Sequence, residues 1–180
     1  MQLIQRRAIY FTLLIAALGW IFISADRSGT STAGEIPAPR EGFLAPDFSL
    51  QTPEGETISL SELRGQAVLV NLWATWCPPC RSEMPAIQKL YEEYKEQGFE
   101  VLAVNMTYQD DPQAVVPFAQ ENNLTFPILL EENGEMARRY ELRSLPSSFF
   151  INRAGFVQEV VIGGPMSEVL LRTRIESILK

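Results

Sequence analysis

Val70-Asn71-Leu72-Trp73-Ala74-Thr75-Trp76-Cys77-Pro78-Pro79-Cys80-Arg81-Ser82-Glu83-Met84-Pro85 is the stretch that decides how this chain is built. It begins inside an apolar run, Ala67 to Trp73, which predicts a buried strand. From Pro78 to Gln97 the pattern becomes helical, with Cys80, Met84, Ile87, Leu90, Tyr91 and Tyr94 on one face. Cys77 therefore stands where a strand hands over to a helix. The positive end of the helix dipole and its free N–H groups stabilise a thiolate at that place. Pro78 suits the first helical turn, where a missing N–H costs little. Cys80 lies almost one turn on, close enough to attack a mixed disulfide formed on Cys77. The expectation is an exposed nucleophile, Cys77, and a shielded resolving thiol, Cys80.

Outward from this stretch the chain alternates strands and helices. Residues 47–50 and 56–59 form short alternating runs joined through Pro53 and Gly55, a hairpin pattern. Gly98 ends the first helix, and Glu100 to Asn105 reads as a second long strand. Asp111 and Pro112 suit the N-cap and first position of another helix, which Pro117 is expected to bend or end. A strand at 126–130 and a short helix at 135–140 follow. Strands at 148–152 and 156–162 flank the turn Asn152-Arg153-Ala154-Gly155, and a closing helix from Ser167 to Lys180 turns Leu171, Ile175 and Ile178 inward. Alternation followed by a hairpin predicts an α/β fold with a central mixed sheet flanked by helices.

The N-terminus reads differently. Arg6 and Arg7 precede an uncharged stretch from Ala8 to Ala25, which as a helix spans about 27 Å. The arginines place that end in the cytoplasm and the remainder outside. An uncleaved anchor is favoured over a cleaved signal peptide, because the apolar region is long and Ile23-Ser24-Ala25 poorly matches a small-x-small cleavage site. The expected organisation is a cytoplasmic tip and transmembrane anchor at 1–25, a flexible Ser/Thr/Gly/Pro-rich linker at 26–42, and one domain at 43–180. The expected location is the plasma membrane, single-pass, with the domain on the extracytoplasmic side and the lipid bilayer contacted through residues 8–25.

Composition removes whole classes of chemistry. The 180 residues include no histidine, which excludes imidazole acid–base catalysis, His-dependent triads and His-ligated metals. The net charge of -7, with no basic cluster, argues against nucleic acid as a partner. Only two cysteines exist, so an intrachain disulfide can only be Cys77–Cys80, and a bridge across two residues adds little stability. A zinc site would need two further ligands beyond this pair. Redox chemistry, which requires no cofactor and no metal, is favoured over a pair of buried, inert cysteines and over a zinc site completed by carboxylates.

The quoted stretch resembles the active-site segment of the thioredoxin superfamily, and most closely its ResA/TlpA-like group of membrane-anchored oxidoreductases. Pro85 matches the proline that kinks the first helix in that superfamily. Leu145-Pro146-Ser147-Ser148-Phe149-Phe150-Ile151-Asn152 resembles its cis-proline segment, and Ala45-Pro46-Asp47-Phe48-Ser49-Leu50 the group's leading strand. The resemblance covers roughly residues 43–180 and implies a thioredoxin-like fold with an N-terminal hairpin. The spacing from Cys80 to Pro146 exceeds that of thioredoxin, which implies a central insertion near residues 111–140. It also implies a cis Pro146 beside the cysteines, with the Leu145 backbone offered to a substrate peptide and with Trp76 and Pro78 on the substrate-binding surface. Where thioredoxin places a buried Asp, this chain has Asn71, which cannot take a proton; Glu83 matches a carboxylate of the ResA-like group and is the candidate for moving the proton of Cys80.

The Pro78-Pro79 pair gives the Cys77 thiolate few donors, and dithiols without such stabilisation tend to be reductants. The resemblance implies reduction of an oxidised protein substrate, such as the C-x-x-C-H haem site of apocytochrome c, with a membrane thiol-reducing protein as donor. The alternatives are a disulfide oxidase or isomerase of the same fold, or a non-enzymatic copper-binding assembly module, a class that typically adds a distant histidine. A peroxiredoxin-like site needs Pro-x-x-x-Thr-x-x-Cys, and Ala74 rather than Thr75 stands three residues before Cys77.

Overall fold

The computed structural model describes residues 36–180. The expected anchor at 8–25 and residues 26–35 of the expected linker lie outside them. Among the described residues no helix is long and apolar enough to cross a membrane.

Seven strands form one sheet in which β1 (Ser49–Gln51), β2 (Thr57–Ser59), β3 (Ala67–Trp73), β4 (Phe99–Asn105), β5 (Ile128–Leu130), β6 (Ser147–Ile151) and β7 (Val157–Ile162) take the order β2-β1-β5-β4-β3-β6-β7. Among the described residues the α-helices are α1 (Pro78–Tyr94), α2 (Pro112–Glu121), α3 (Glu135–Arg139) and α4 (Glu168–Leu179). β3 runs parallel to β4 and antiparallel to β6, which makes the sheet mixed, as expected.

Every residue of β3 is buried, the signature of a strand covered on both faces. Its side chains alternate between two cores. Ala67, Leu69 and Trp73 pack with Met84, Ile87 and Leu90 of α1 and with Leu171, Ile175 and Ile178 of α4. Val68, Val70 and Leu72 pack on the opposite side with Leu129, Met136, Tyr140 and Phe149. Asn71 shares the α1 side by its period-2 position, a polar group in an otherwise apolar row.

The expected helix to Gln97 ends its α-helical part at Tyr94; Lys95–Gln97 tighten into a 3₁₀ turn, and Gly98 closes it at φ +78, a left-handed conformation suited to glycine. α2 starts on the expected cap, with the Asp111 carboxylate accepting from Gln113 N at 3.0 Å. Of the two outcomes expected at Pro117, a bend or an end, the helix does not end there. The ring deletes one backbone hydrogen bond, and burial of Val115 and Phe118 keeps the helix going to Glu121. The region expected to hold an insertion contributes α2, β5 and α3; β5 pairs with β4 and, through Gln51, with β1, joining the hairpin to the sheet.

The folded domain also reaches further back than residue 43. Ala38 N donates to Leu44 O at 2.9 Å, Gly42 N to Val157 O at 2.8 Å, and Arg40 pairs with Glu141 at 3.0 Å. This end of the expected linker is laid along β7, because an open strand edge offers it backbone partners.

Candidate active site

Trp73 is the last residue of β3, and Ala74 to Trp76 carry the chain from the sheet to α1. Cys77 is the N-cap of α1, with extended backbone at φ -89 and ψ 105. Its sulfur accepts a hydrogen bond from Cys80 N at 3.3 Å, and its own N–H donates to Ala74 O at 3.2 Å. The next two helical positions are prolines, so Cys80 supplies the first available N–H of the helix. Cys77 and Cys80 are joined in a disulfide, with their Cα atoms 5.3 Å apart.

Exposure of Cys77 corrects the expectation. It is only 2 % exposed, against 0 % for Cys80. Both sulfurs belong to the apolar core that includes Ala74, Met84 and Met166, with Leu145 packed against it. Drawing Cys77 into the disulfide turns its side chain toward Cys80 and that core. Trp76, 56 % exposed, and Pro78 form the open surface beside them.

The peptide bond Leu145–Pro146 is cis. Pro146 is buried and stands immediately before β6, and its carbonyl accepts from Gly163 N at 2.8 Å. Among the described residues no backbone hydrogen bond involves Leu145, so its N–H and C=O are free to pair with an extended peptide.

Glu83 is completely buried, more deeply than its place three residues after Cys80 foretold. One carboxyl oxygen accepts from Asn71 Nδ2 at 2.9 Å, and the other from Met166 N at 3.1 Å. Asn71 also donates to Ser148 Oγ at 2.9 Å, tying β3, α1 and β6 together. Burial pushes the Glu83 carboxyl above its ordinary value, with the hydrogen bonds from Met166 and Asn71 only partly opposing it. Glu83 is thus set to be a neutral acid at higher pH than a solvated glutamate. Gly164 lies against it: a Cβ there would stand 2.9 Å from Glu83 Oε2 and 2.7 Å from Pro146 Cγ, so this approach requires glycine.

Three features of the site were not legible from sequence. Met166 N caps the Glu83 carboxylate from the loop before α4, a purely tertiary contact. Gln109 O accepts from the Trp76 indole at 2.9 Å, and Asp110 binds Thr75 N at 2.6 Å. The Asp110-Asp111-Pro112 run signals a helix start through Asp111 and Pro112, but nothing local gives Asp110 a role.

A helix-capping cysteine bonded to a second cysteine one turn on, with a cis Leu145–Pro146 bond whose leucine packs on the same core and a buried carboxyl on the same helix, defines a thioredoxin-fold thiol–disulfide centre. The comparisons agree. Residues 42–160 match the AhpC/TSA family. The chain is 39% identical over 170 residues to the thiol-disulfide oxidoreductase ResA of Halalkalibacterium halodurans, covering 92% of this chain and 89% of that protein. It is 38% identical over 178 residues to the ResA of Geobacillus kaustophilus, covering 98% and 96%. Among solved structures, StoA from Bacillus subtilis superposes with a TM-score of 0.62 at 35% identity, covering 72% of this chain and 96% of StoA. A thiol:disulfide interchange protein of Chlorobium tepidum gives 0.70 at 28% identity, covering 76% and 96%. The chain belongs to the AhpC/TSA family, as a thiol-disulfide oxidoreductase of the ResA type.

Proposed function

We propose that this protein reduces disulfides of exported proteins on the outer side of the plasma membrane, held there by residues 8–25. In the reduced protein the Cys77 thiolate attacks one sulfur of a substrate disulfide, and the other substrate sulfur leaves as a thiolate. Cys80 then attacks the sulfur of Cys77, releasing the second substrate thiol and closing Cys77–Cys80. Two electrons and two protons pass to the substrate. Glu83 exchanges the proton that Cys80 must give up. The free backbone of Leu145 pairs with the substrate chain, with Pro146, Trp76 and Pro78 completing the contact surface.

The observation that carries the direction is the donor count at Cys77. The sulfur accepts one backbone N–H, from Cys80, because Pro78 and Pro79 have none to give. The nearby cation, Arg81, is turned to Thr75 O at 3.3 Å and lies over the Phe118 ring. A thiolate stabilised so sparingly gives up its electrons readily. A reductase in this location needs a membrane thiol carrier to re-reduce it. The oxidised C-x-x-C-H site of apocytochrome c is the substrate type the family likeness favours.

Cys80→Ser expressed in cells tests the proposal. It should accumulate an exported protein as a mixed disulfide on Cys77, with apocytochrome c among the trapped species. Recovery of no mixed disulfide, with the purified wild type unable to reduce a peptide disulfide, would overturn it.

A further inference from the structure

The loop that delivers Cys77 is gripped from outside. Asp110 lies between β4 and α2, and its carboxylate accepts from Thr75 N at 2.6 Å, Thr75 Oγ1 at 2.5 Å, Asn105 Nδ2 at 2.7 Å and Asp111 N at 2.9 Å. All of these partners are donors, so the position calls for a group that only accepts. An ionised carboxylate does so most strongly. Burial raises the Asp110 carboxyl, but the bonds from Thr75, Asn105 and Asp111 outweigh it and hold the group below the usual range.

Thr75 keeps one further polar group, its carbonyl, and Arg81 takes it. Every polar group of Thr75 is therefore engaged. The adjoining Trp76 is tied to the same turn through Gln109 O. Its ring remains more than half exposed while its N–H is fixed, an unusual combination for a surface aromatic. Beside it opens a groove of about 550 Å³ walled by Trp76, Pro78, Arg81, Ser82 and Phe118. An exposed aromatic that is already immobile loses little freedom when a partner packs on it, so rigidity there converts into affinity.

We propose that Asp110 is a positioning residue for substrate recognition: by fastening Thr75 and the turn that holds Trp76, it keeps the indole as a fixed wall of a groove that takes the polypeptide flanking a substrate disulfide. The inference rests on thiol–disulfide exchange at Cys77 and adds to it a means of preferring polypeptide over small disulfides.

The test compares purified full-length wild type and Asp110→Asn in steady-state reduction of a disulfide-bonded peptide and of hydroxyethyl disulfide. The amide sets an NH₂ group among converging donors. The KM for the peptide should rise about tenfold, while the rate with the small disulfide stays within about twofold. The Trp76 indole N–H should exchange with solvent faster by NMR. Thr75→Val, which deletes only the hydroxyl donor, should show the same selective rise at smaller amplitude, and it carries the test if Asp110→Asn does not fold. A peptide KM unchanged in both variants, or an equal loss with both disulfides, would overturn the proposal. A wild type inert toward both disulfides would instead sink the exchange reading, and this inference with it.

Discussion

Glu83→Gln separates a buried titrating acid from a merely buried polar group. Glu83 is inaccessible, and burial lifts its carboxyl above the usual 4.5 against the opposing hydrogen bonds of Met166 and Asn71. Between that ordinary value and its raised native one, the folded protein holds a proton that the unfolded chain has released. Stability therefore falls as pH rises through this window, and the contribution is at its fullest below 4.5. The slope is at most one proton's worth, about 1.4 kcal/mol per pH unit. Glutamine does not titrate, but its amide nitrogen must face one of two donors, Asn71 Nδ2 or Met166 N. One lost buried hydrogen bond costs about 1–3 kcal/mol. The variant should be less stable than wild type by about that amount in acid. The deficit should shrink with rising pH at up to about 1.4 kcal/mol per unit, and reverse once the cost of the buried carboxylate exceeds that of the lost bond. Urea unfolding of the oxidised proteins from about pH 4 to about pH 8 measures this difference. A deficit that stays constant with pH would refute a raised Glu83. In reduction assays the variant should lose the rate contribution of a placed acid–base group, about 10²-fold or more, together with part of its pH dependence.

Pro79→Ala returns a backbone N–H to the second helical position, facing Cys77. One hydrogen bond to a charged sulfur, about 1.5 kcal/mol, should make the dithiol more oxidising by about 30 mV in equilibrium with a glutathione buffer. An unchanged potential would mean that the proline pair does not set the direction of electron flow. Asp111→Ala removes the N-cap of α2 and should cost about 1 kcal/mol in urea unfolding. Peptide reduction should not change, because Asp110, not Asp111, holds the active-site loop; a raised peptide KM would contradict that division of labour.

The parts of the fold that were legible in sequence are those set by local pattern. β3 is an apolar run broken only by Asn71 because it is covered on both faces, and α1 announces itself by its apolar face and by Gly98. The cysteine pair was legible because the alternatives lacked ligands. Pro146 was legible only through family likeness, since X-Pro bonds are mostly trans. Elsewhere distant segments decide. A glutamate on a helix reads as solvated, and nothing local says that Asn71 and Met166 converge on Glu83. Asp110 meets Thr75 only because β3 and β4 run parallel and end side by side, Trp73 opposite Asn105. Pro117 shows the converse: packing of Val115 and Phe118 overrides a local helix breaker. The near-complete burial of Cys77 follows from its bond to Cys80 and the packing around both, which no spacing of residues encodes.

The central claim is that Cys77, at the head of α1, is the attacking sulfur and Cys80 the sheltered one. After reduction, the protein should be treated with limiting iodoacetamide and the modified cysteine located by mass mapping over time. Alkylation of Cys77 well ahead of Cys80, faster as pH rises, is the expected result. First labelling at Cys80, or two thiols equally inert in the folded protein, would contradict the account.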